Sequence, residues 1–278
     1  MPAVTIDLIK ELRDRTGAGI MDCKKALVAN DGEIEKAIDW LREKGIAKAA
    51  SKAGRIAAEG LSLVRVCPKC GKKAAIVEVN CETDFVSASD KFHELVEGVL
   101  DVLMEKEPAT VEEAKALTQD LFANATVAMG EKFDLRRFEI VKIEEGQSFG
   151  SYIHQGGKIG VLVVLNKENV EIAKPLAMSV AADDPAYLTL EDVPAADRDR
   201  ERNIAKTEVD NDPKLAGKPE QMKANIIENK VKKVLSQSCF EFQGYILDES
   251  KTVGQVLKEN DVKILRFIRY KVGEGIAK

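Results

Sequence analysis

The stretch Val77-Glu78-Val79-Asn80-Cys81-Glu82-Thr83-Asp84-Phe85-Val86 is the part of the sequence around which the rest is organised. Its first half continues an alternation in which Ala75, Val77 and Val79 share one face, and this pattern predicts a β-strand. The polar residues after Asn80 end the strand. A turn that carries Phe85 then leads into a predicted helix.

Phe85 is not needed for the buried face of that helix. The helix already has a complete apolar stripe at helical spacing, formed by Phe92, Leu95, Val96, Val99 and Leu103. Two interpretations of Phe85 are therefore open. It packs under its own turn as a satellite of the core, as most Phe residues do, or it stands exposed beside Asp84 and inserts into a partner.

Composition limits the class of protein. The chain has 278 residues, 45% of them hydrophobic and 32% charged, which is enough for one large domain or two to three small ones. A net charge of −5 argues against direct nucleic-acid binding, which needs a concentrated basic surface. No apolar run approaches the roughly 20 residues of a membrane span, and no signal peptide precedes the first helix. We expect a soluble, cytoplasmic protein.

Hydrophobic periodicity predicts an α+β protein. Three short helices come first and form a minimal bundle, followed by a connecting helix or linker at 45–59. A hairpin followed by a helix then occurs twice, at 61–106 and 149–182, which indicates a duplicated two-layer α+β core with antiparallel sheets. Two charged helices at 194–209 and 218–235 predict an inserted helical arm, and a strand at 262–272 returns to the core.

The five cysteines do not indicate a secreted disulfide framework, since their number is odd and their placement scattered. Cys67-Pro68-Lys69-Cys70-Gly71 resembles a zinc knuckle, but a structural zinc site needs four ligands. Cys81 is a third candidate, and His93 or His154 a fourth. The alternative is a hairpin tip with two spare thiols. No phosphate loop, dinucleotide motif or nucleophile–histidine pair is present, so an enzyme is not expected.

Several stretches together resemble the family of translation elongation factor Ts, the guanine-nucleotide exchange factor for elongation factor Tu. The two longest are Leu12–Leu27 and Glu78–Val86. Shorter ones are Ser151–His154 with Gly156, Ser250–Gly254 and Gly273–Gly275. They occur in the family's order over nearly the whole chain.

The resemblance implies an N-terminal three-helix bundle like a ubiquitin-associated domain, and a coiled-coil arm. The expected domains are a partner-docking bundle at 1–54, a core N-terminal subdomain at 55–146, a core C-terminal subdomain at 147–185 and 238–278, and a coiled-coil arm at 186–237.

The same resemblance implies the functional residues and partners. Thr83, Asp84, Phe85 and Val86 are expected to act near the magnesium of elongation factor Tu, so that insertion becomes the favoured role of Phe85. The further expected contacts are Met21, Lys24, Tyr152, His154 and Gly156. No cofactor is expected beyond zinc at the cysteines, and neither nucleic acid nor membrane is a partner. A 2:2 complex with elongation factor Tu is left open.

This chain departs from the family pattern at three places. Cys67–Cys70 replaces a plain hairpin, which leaves a metal or redox role open there. Gln155 stands where Gly is usual, and the chain ends at Lys278 where many members add a helix that contacts the partner. Two competing functions follow from the residues: a zinc or thiol enzyme at Cys67, Cys70 and Cys81, and a passive scaffold that docks through the first three helices.

Overall fold

The structure is a computed structural model that describes residues 4–277. Residues 1–3, with which the first expected domain begins, and residue 278, with which the expected core C-terminal subdomain ends, lie outside the described range. Within the described range the protein is α+β, with small antiparallel sheets. Two sheets have three strands each, and a third is a two-stranded pair. None of the helices in this range has the length and apolarity to cross a membrane.

Helices open the chain, and strands begin only at residue 59. The helices are α1 (Ile6–Thr16), α2 (Ile20–Ala29), α3 (Ile34–Ser51), α4 (Asp84–Ser87), α5 (Asp90–Lys106), α6 (Val111–Leu117), α7 (Gln119–Met129), α8 (Val170–Asp183), α9 (Ala195–Asp210), α10 (Glu220–Ser236) and α11 (Val253–Glu259). The strands are β1 (Glu59–Val66), β2 (Lys73–Cys81), β3 (Asp134–Lys142), β4 (Ser148–His154), β5 (Ile159–Leu165), β6 (Gly244–Tyr245), β7 (Asp248–Thr252) and β8 (Ile264–Lys271).

Two compact units divide the chain. The first contains Met1–Lys142, Ile153–Gly160 and Tyr270–Lys278, and the second contains Ile143–Tyr152 and Val161–Arg269. Side-chain caps set where several helices begin: Thr5, Thr83, Ser89 and Thr110 each accept a hydrogen bond from a backbone N–H of the first turn.

The first unit is built on the sheet β1-β2-β3. β2 is its middle strand and pairs antiparallel with both neighbours. The predicted face of Ala75, Val77 and Val79 packs in the core against the apolar stripe of α5, as the alternation indicated. The same unit holds a second cluster, from α1 to α3 together with α7, whose buried members are Leu12, Ala18, Cys23, Ala26, Leu27, Ala37, Leu41 and Val127.

Helix α3 is longer than the sequence pattern predicted. It runs through the Ala- and Lys-rich residues after Lys44 to Ser51, where a connecting helix or linker was expected. The extension packs on α7, and the two helices approach closely at Gly45. A Cβ at Gly45 would lie 2.5 Å from the Ala123 carbonyl oxygen and 2.9 Å from a methyl of Val127. Helix–helix packing therefore stabilises a segment that has few apolar residues of its own.

The second unit carries the inserted helices. α9 and α10 lie side by side near both predicted ranges, with Val193, Ala205, Val231 and Leu235 buried. Arg202 pairs with Glu228 across them at 2.8 Å. The sequence predicts an apolar seam at Met222, Ile226 and Val234 of the second helix, but Met222 and Val234 are 44% and 47% exposed. The short β6–β7 pair was not predicted, since two- to five-residue strands leave too little periodicity to detect.

Two other local expectations needed correction. The pattern after Thr110 predicts one helix that carries Val111, Leu117 and Phe122. In the structure α6 ends at Leu117, the Thr118 hydroxyl donates to the Ala114 carbonyl at 2.7 Å, and α7 begins at Gln119. The sequence also predicts that Pro175 fits its helix only in the first turn. It lies at the sixth residue of α8, so the helix loses one internal hydrogen bond there.

The contact at Gly45 gives a stability prediction. We expect Gly45→Ala to destabilise the protein by about 1–3 kcal/mol, because overpacking at α7 outweighs the gain of about 1 kcal/mol that alanine brings to a helix. Thermal unfolding followed by circular dichroism measures the change.

Gly98→Ala is the matched control within α5. Its Cβ would meet only Leu121 methyls, the nearer at 3.6 Å, so the helix propensity should prevail and raise the unfolding midpoint. If both substitutions stabilise the protein, the packing of α3 on α7 is looser than described.

Candidate functional site

Phe85 lies on the surface. Its side chain is 86% exposed, the largest exposed fraction among the big hydrophobic side chains of residues 4–277. It occupies the second residue of α4, a one-turn helix that the sequence pattern did not separate from α5. The satellite-core interpretation of Phe85 is therefore wrong. The stripe of α5 fills the core without it, as the spacing had indicated.

The backbone before Phe85 is held by a carboxylate from another part of the chain. Glu131 accepts the backbone N–H of Glu82 at 3.0 Å and that of Thr83 at 3.1 Å, and it accepts the Thr83 hydroxyl at 2.5 Å. In return, the Glu82 carboxylate accepts the Lys132 N–H at 2.6 Å. We call this reciprocal set of bonds the carboxylate clamp. It fixes the chain where β2 ends and α4 begins.

A positive charge stabilises the Glu82 carboxylate of the clamp. Arg55 lies 3.2 Å from the Glu82 carboxylate. Partial burial acts to raise the pKa of Glu82, but the Lys132 N–H and the Arg55 guanidinium outweigh it and leave the pKa below its usual range. Glu82 is thus ionised at neutral pH, the state in which it accepts these hydrogen bonds most strongly.

The four motif residues divide into two pairs. Thr83 caps α4 through its hydroxyl, which accepts the Val86 N–H at 3.3 Å, and Val86 packs against the core of the first unit. Asp84 and Phe85 are exposed. Two residues therefore build the turn, and two present a carboxylate and an aromatic ring to the outside.

The predicted contacts on the first helices lie on the outer side of α2. Met21 is 62% exposed and Val28 is 59% exposed. Lys24 is exposed too, one helical turn from Met21, so all three share one face. The helical spacing of Ile20, Cys23 and Leu27 predicts that all three face inward, but Ile20 is 54% exposed. The face offers apolar contact area with a positive charge beside it.

The turn after His154 is built by glycine. Gln155 and Gly156 both have positive φ, at 47° and 62°, which explains why glycine suits position 155. Gly157 lies against Leu61, where a Cβ would come within 2.6 Å of a methyl group. His154 is half-buried and Gly156 is exposed; Tyr152, two residues earlier on β4, is half-buried.

Two lysines connect these parts within the first unit. Lys158, just after the glycine turn, contacts the Ser87 hydroxyl of α4 at 3.3 Å and the Glu59 carboxylate at 3.0 Å. Lys91, at the start of α5, donates to the Gly17 carbonyl in the loop before α2 at 3.4 Å. The structure therefore brings the glycine turn beside α4, and the loop before α2 beside the start of α5.

The cysteine candidates are not brought together. Cys67 and Cys70 lie in the β1–β2 turn, whereas Cys81 is the last residue of β2, buried, with its thiol donating to the Thr83 carbonyl at 3.2 Å. A nine-residue strand separates them by roughly 26 Å at ~3.3 Å per residue. The expectation of Cys81 as a third zinc ligand is wrong, because the hairpin places turn and strand end at opposite ends. Residues 4–277 contain no cluster of three metal-ligating side chains.

The carboxylate clamp was not found from the sequence. Glu131 lies 48 residues from Thr83, after the α7 helix, and it has no spacing relation to the motif. Glu78, also missed, has a buried carboxylate bound by Arg136 at 2.9 Å and Arg137 at 2.6 Å. Alternation only assigned Glu78 to the face opposite Val77. The sole signal available was that an acidic residue in a fully buried strand requires a partner.

An exposed ring on a fixed turn and an exposed apolar helix face are each typical of a surface that binds another protein. This class of site differs from an enzyme pocket, which encloses its ligand.

Comparison with known proteins narrows this class of binding protein to one family. The family described as "Elongation factor TS" matches residues 82–274, well over half of the chain. The proteins named "Elongation factor Ts" from Limosilactobacillus reuteri (strain DSM 20016), Lactiplantibacillus plantarum and Levilactobacillus brevis are 47%, 45% and 44% identical. These alignments cover 97%, 100% and 99% of this chain and 92%, 95% and 94% of the relatives.

The chain belongs to the elongation factor Ts family. Its role is nucleotide exchange for elongation factor Tu in translation elongation.

The clamp predicts the effect of removing one charge. We expect Glu131→Gln to cost about 1–3 kcal/mol, because the donors at Glu82 and Thr83 lose their charged acceptor. Amide hydrogen exchange of these two N–H groups should accelerate, and the thermal midpoint should fall.

Glu94→Gln, an exposed substitution on α5, provides the charge-matched control and should change neither quantity. Unaltered exchange at positions 82 and 83 in Glu131→Gln would show that the clamp does not hold the turn.

The thiols should differ in reactivity. Hydrogen bonds from the Cys70 side chain and from backbone N–H groups lower the pKa of Cys67, whereas burial raises the pKa of Cys81 to about 12. We expect iodoacetamide to modify Cys67 and the exposed Cys70 at neutral pH. Cys81 should stay unmodified up to about pH 9, since it remains protonated there.

Peptide mapping by mass spectrometry measures each thiol, with urea-denatured protein as the reference in which all five react. Alkylation of Cys81 in native protein at the denatured rate would contradict its burial.

Proposed function

We propose that this chain releases GDP from elongation factor Tu by inserting Phe85 and Asp84 beside the magnesium ion bound with the nucleotide, so that GTP can then bind. The observation that carries the proposal is the 86% exposed ring on a turn held by the carboxylate clamp. Thr83 and Val86 belong to the same element and act by holding its shape.

Charge explains why displacing the magnesium releases the nucleotide. Magnesium bridges the phosphates and offsets their negative charge, so its loss weakens nucleotide binding. The Asp84 carboxylate competes for the cation or repels the phosphates, and the Phe85 ring occupies space next to them. No bond to the nucleotide is made or broken, so the chain acts as an exchange factor and not as an enzyme, and the exchange step uses no cofactor.

One aromatic ring supplies only part of the energy required. Burying a Phe side chain contributes about 1.5–3 kcal/mol, or roughly tenfold to a hundredfold in affinity. A broader docking surface must supply the rest. We assign to it Met21 and Lys24 on α2, with Tyr152, His154 and Gly156 around the glycine turn. The exposed face of α2 supports this assignment.

The coupling between the two ligands is reciprocal. If this chain weakens GDP binding by some factor, GDP weakens binding of this chain by the same factor. A complex with elongation factor Tu is therefore tightest when the nucleotide has left, and GTP binding releases the exchange factor for another round.

The finer description of the fold belongs to the same proposal. We assign residues 1–54 to a docking bundle like a ubiquitin-associated domain and 186–237 to a coiled-coil arm. The duplicated core consists of 55–146 and of 147–185 with 238–278. A cytoplasmic location, a 2:2 complex with elongation factor Tu, and the absence of direct nucleic-acid or membrane binding stay predictions.

Removing the ring tests the proposal. We expect Phe85→Ala to keep the unfolding midpoint, because the side chain is exposed, and to retain most of the binding to elongation factor Tu. Release of a fluorescent guanine nucleotide at saturating factor should slow by roughly tenfold to a hundredfold, as the lost burial implies. Stopped-flow fluorescence measures the rate.

Val170→Ala is the control, an exposed apolar truncation in the second unit, where the side chain is 79% exposed. It should leave the release rate unchanged. Wild-type release by Phe85→Ala would refute the insertion, and a folded Phe85→Ala variant that no longer binds would reassign the ring to docking.

A further inference from the structure

The β1–β2 turn presents two thiols that the exchange function leaves unused. The turn is closed at its base by the Cys67 N–H donating to the Lys73 carbonyl at 2.7 Å, and again by the Gly71 N–H donating to the Cys67 carbonyl at 2.9 Å. Gly71 has a φ of +63°, a conformation that glycine adopts without strain. Cys67 is half-buried and Cys70 is exposed, as are the residues between them.

The turn places two thiols on one short loop. Cys67 and Cys70 are three residues apart, and the Gly71 N–H bond to the Cys67 carbonyl folds the chain back between the two strands. A Cys-x-x-Cys pair on such a turn is a form in which structural zinc sites present two thiolates.

Two thiolates are half of a closed zinc site. Structural zinc takes four ligands in a tetrahedron, and soft thiolates select zinc over hard cations. Within residues 4–277 no third ligand joins this pair, and Cys81 lies at the other end of β2. The missing two ligands must come from outside the chain. A second copy offers the same two thiols on the same exposed turn, and a two-fold axis through the metal brings the count to four.

We propose that Cys67 and Cys70 bind one zinc-class divalent cation together with Cys67 and Cys70 of a second copy of this chain, which forms a metal-bridged dimer. On binding, the thiols release their protons to solvent and four sulfur–metal bonds form, with no change of oxidation state. The inference does not depend on the exchange mechanism.

The charges of the turn suit such a centre. Four thiolates around a divalent cation carry a formal charge of −2. Lys69 and Lys72 are exposed on each turn and bring positive charge next to it. Lys73 is engaged elsewhere, with the Glu107 carboxylate at 2.6 Å. The lysines that would repel each other in a metal-free dimer thus offset the charge of the loaded one.

The position of the turn keeps the two functions apart. β2 runs from the turn to the clamped end next to α4, over roughly 26 Å. A bridge at Cys67 and Cys70 therefore leaves Phe85 unobstructed at the opposite end of the strand. We expect the bridged dimer to exchange nucleotide at the rate of the monomer, per chain.

Cobalt titration of the full-length, reduced protein under anaerobic conditions tests the site. Co²⁺ reports thiolate ligands by charge-transfer bands and tetrahedral geometry by intense visible bands. We expect both to saturate at one metal per two chains. Light scattering coupled to size exclusion should show the mass double with the metal, and zinc should displace the cobalt. Affinity should fall as the pH is lowered, because protons compete for the thiolates.

Four variants locate the ligands. Cys67→Ser and Cys70→Ser should each abolish the charge-transfer bands and the dimer while leaving the unfolding midpoint of the metal-free protein unchanged, since the turn is exposed. Lys72→Ser alters the same turn without removing a thiol and should retain tetrahedral thiolate binding. Cys81→Ala should retain it too, provided circular dichroism shows that the variant is folded.

Two results would overturn the proposal. One is the absence of thiolate charge-transfer bands in fully reduced protein at stoichiometric cobalt. The other is saturation at one metal per chain with the mass of a monomer, which would mean that the site is completed without a second copy. Nucleotide release measured on Cys67→Ser keeps this test separate from the exchange proposal, which predicts normal release.

Discussion

The buried carboxylate of Glu78 is the constraint on which the first unit depends. It lies in the middle strand of the sheet at 0% exposure, and Arg136, Arg137 and the Gly273 N–H surround it at 2.6–2.9 Å. Removing one partner of such a buried pair costs about 3–5 kcal/mol, because the charge left behind has no water. Glu78 thus stabilises two features at once: the pairing of β2 with β3, which carries Arg136 and Arg137, and the packing of the segment that contains Gly273.

Because β2 is held in one register, the turn that follows it is held in place too. β2 is buried at every residue from Ala74 to Cys81, so a slip of its register by one residue would turn its apolar face away from α5. The carboxylate clamp continues this order for two more residues past the strand. Asp84 and Phe85 then project from a backbone that needs little further ordering when a partner binds. A preorganised contact keeps more of its burial energy as affinity than a loop that must first be ordered.

Sequence reasoning predicted most of the elements because long periodic segments dominate this chain. The strand through Val79, the stripe of α5 and the two helices of the inserted arm agree with the structure. The pattern failed where stability comes from distant contacts. A connecting helix or linker was expected from Gly45 onward, yet α3 continues through it by packing closely on α7. At Thr118, between α6 and α7, the hydroxyl bonds the Ala114 carbonyl, and periodicity does not report such a local contact.

The sequence predicted part of the candidate site, as it predicted part of the fold. The sequence showed that Phe85 lies outside the apolar stripe of α5, and the exposure of Phe85 in the structure agrees with that placement. Glu131 was not readable, since its relation to the motif exists only after the sheet and α7 have formed. Cys81 was a third zinc candidate only if the fold brought it to Cys67 and Cys70, and the nine-residue strand β2 keeps it apart from them.

The hairpin turn at Cys67–Cys70 and the ring at Phe85 lie at opposite ends of one buried strand. The turn is therefore a native attachment site that is remote from Phe85. A thiol-reactive dye or surface linker attached at Cys70 would sit away from the end that meets a partner. A protein immobilised through Cys70 would then present the Phe85 end of β2 to the solution in a single orientation, without an engineered cysteine.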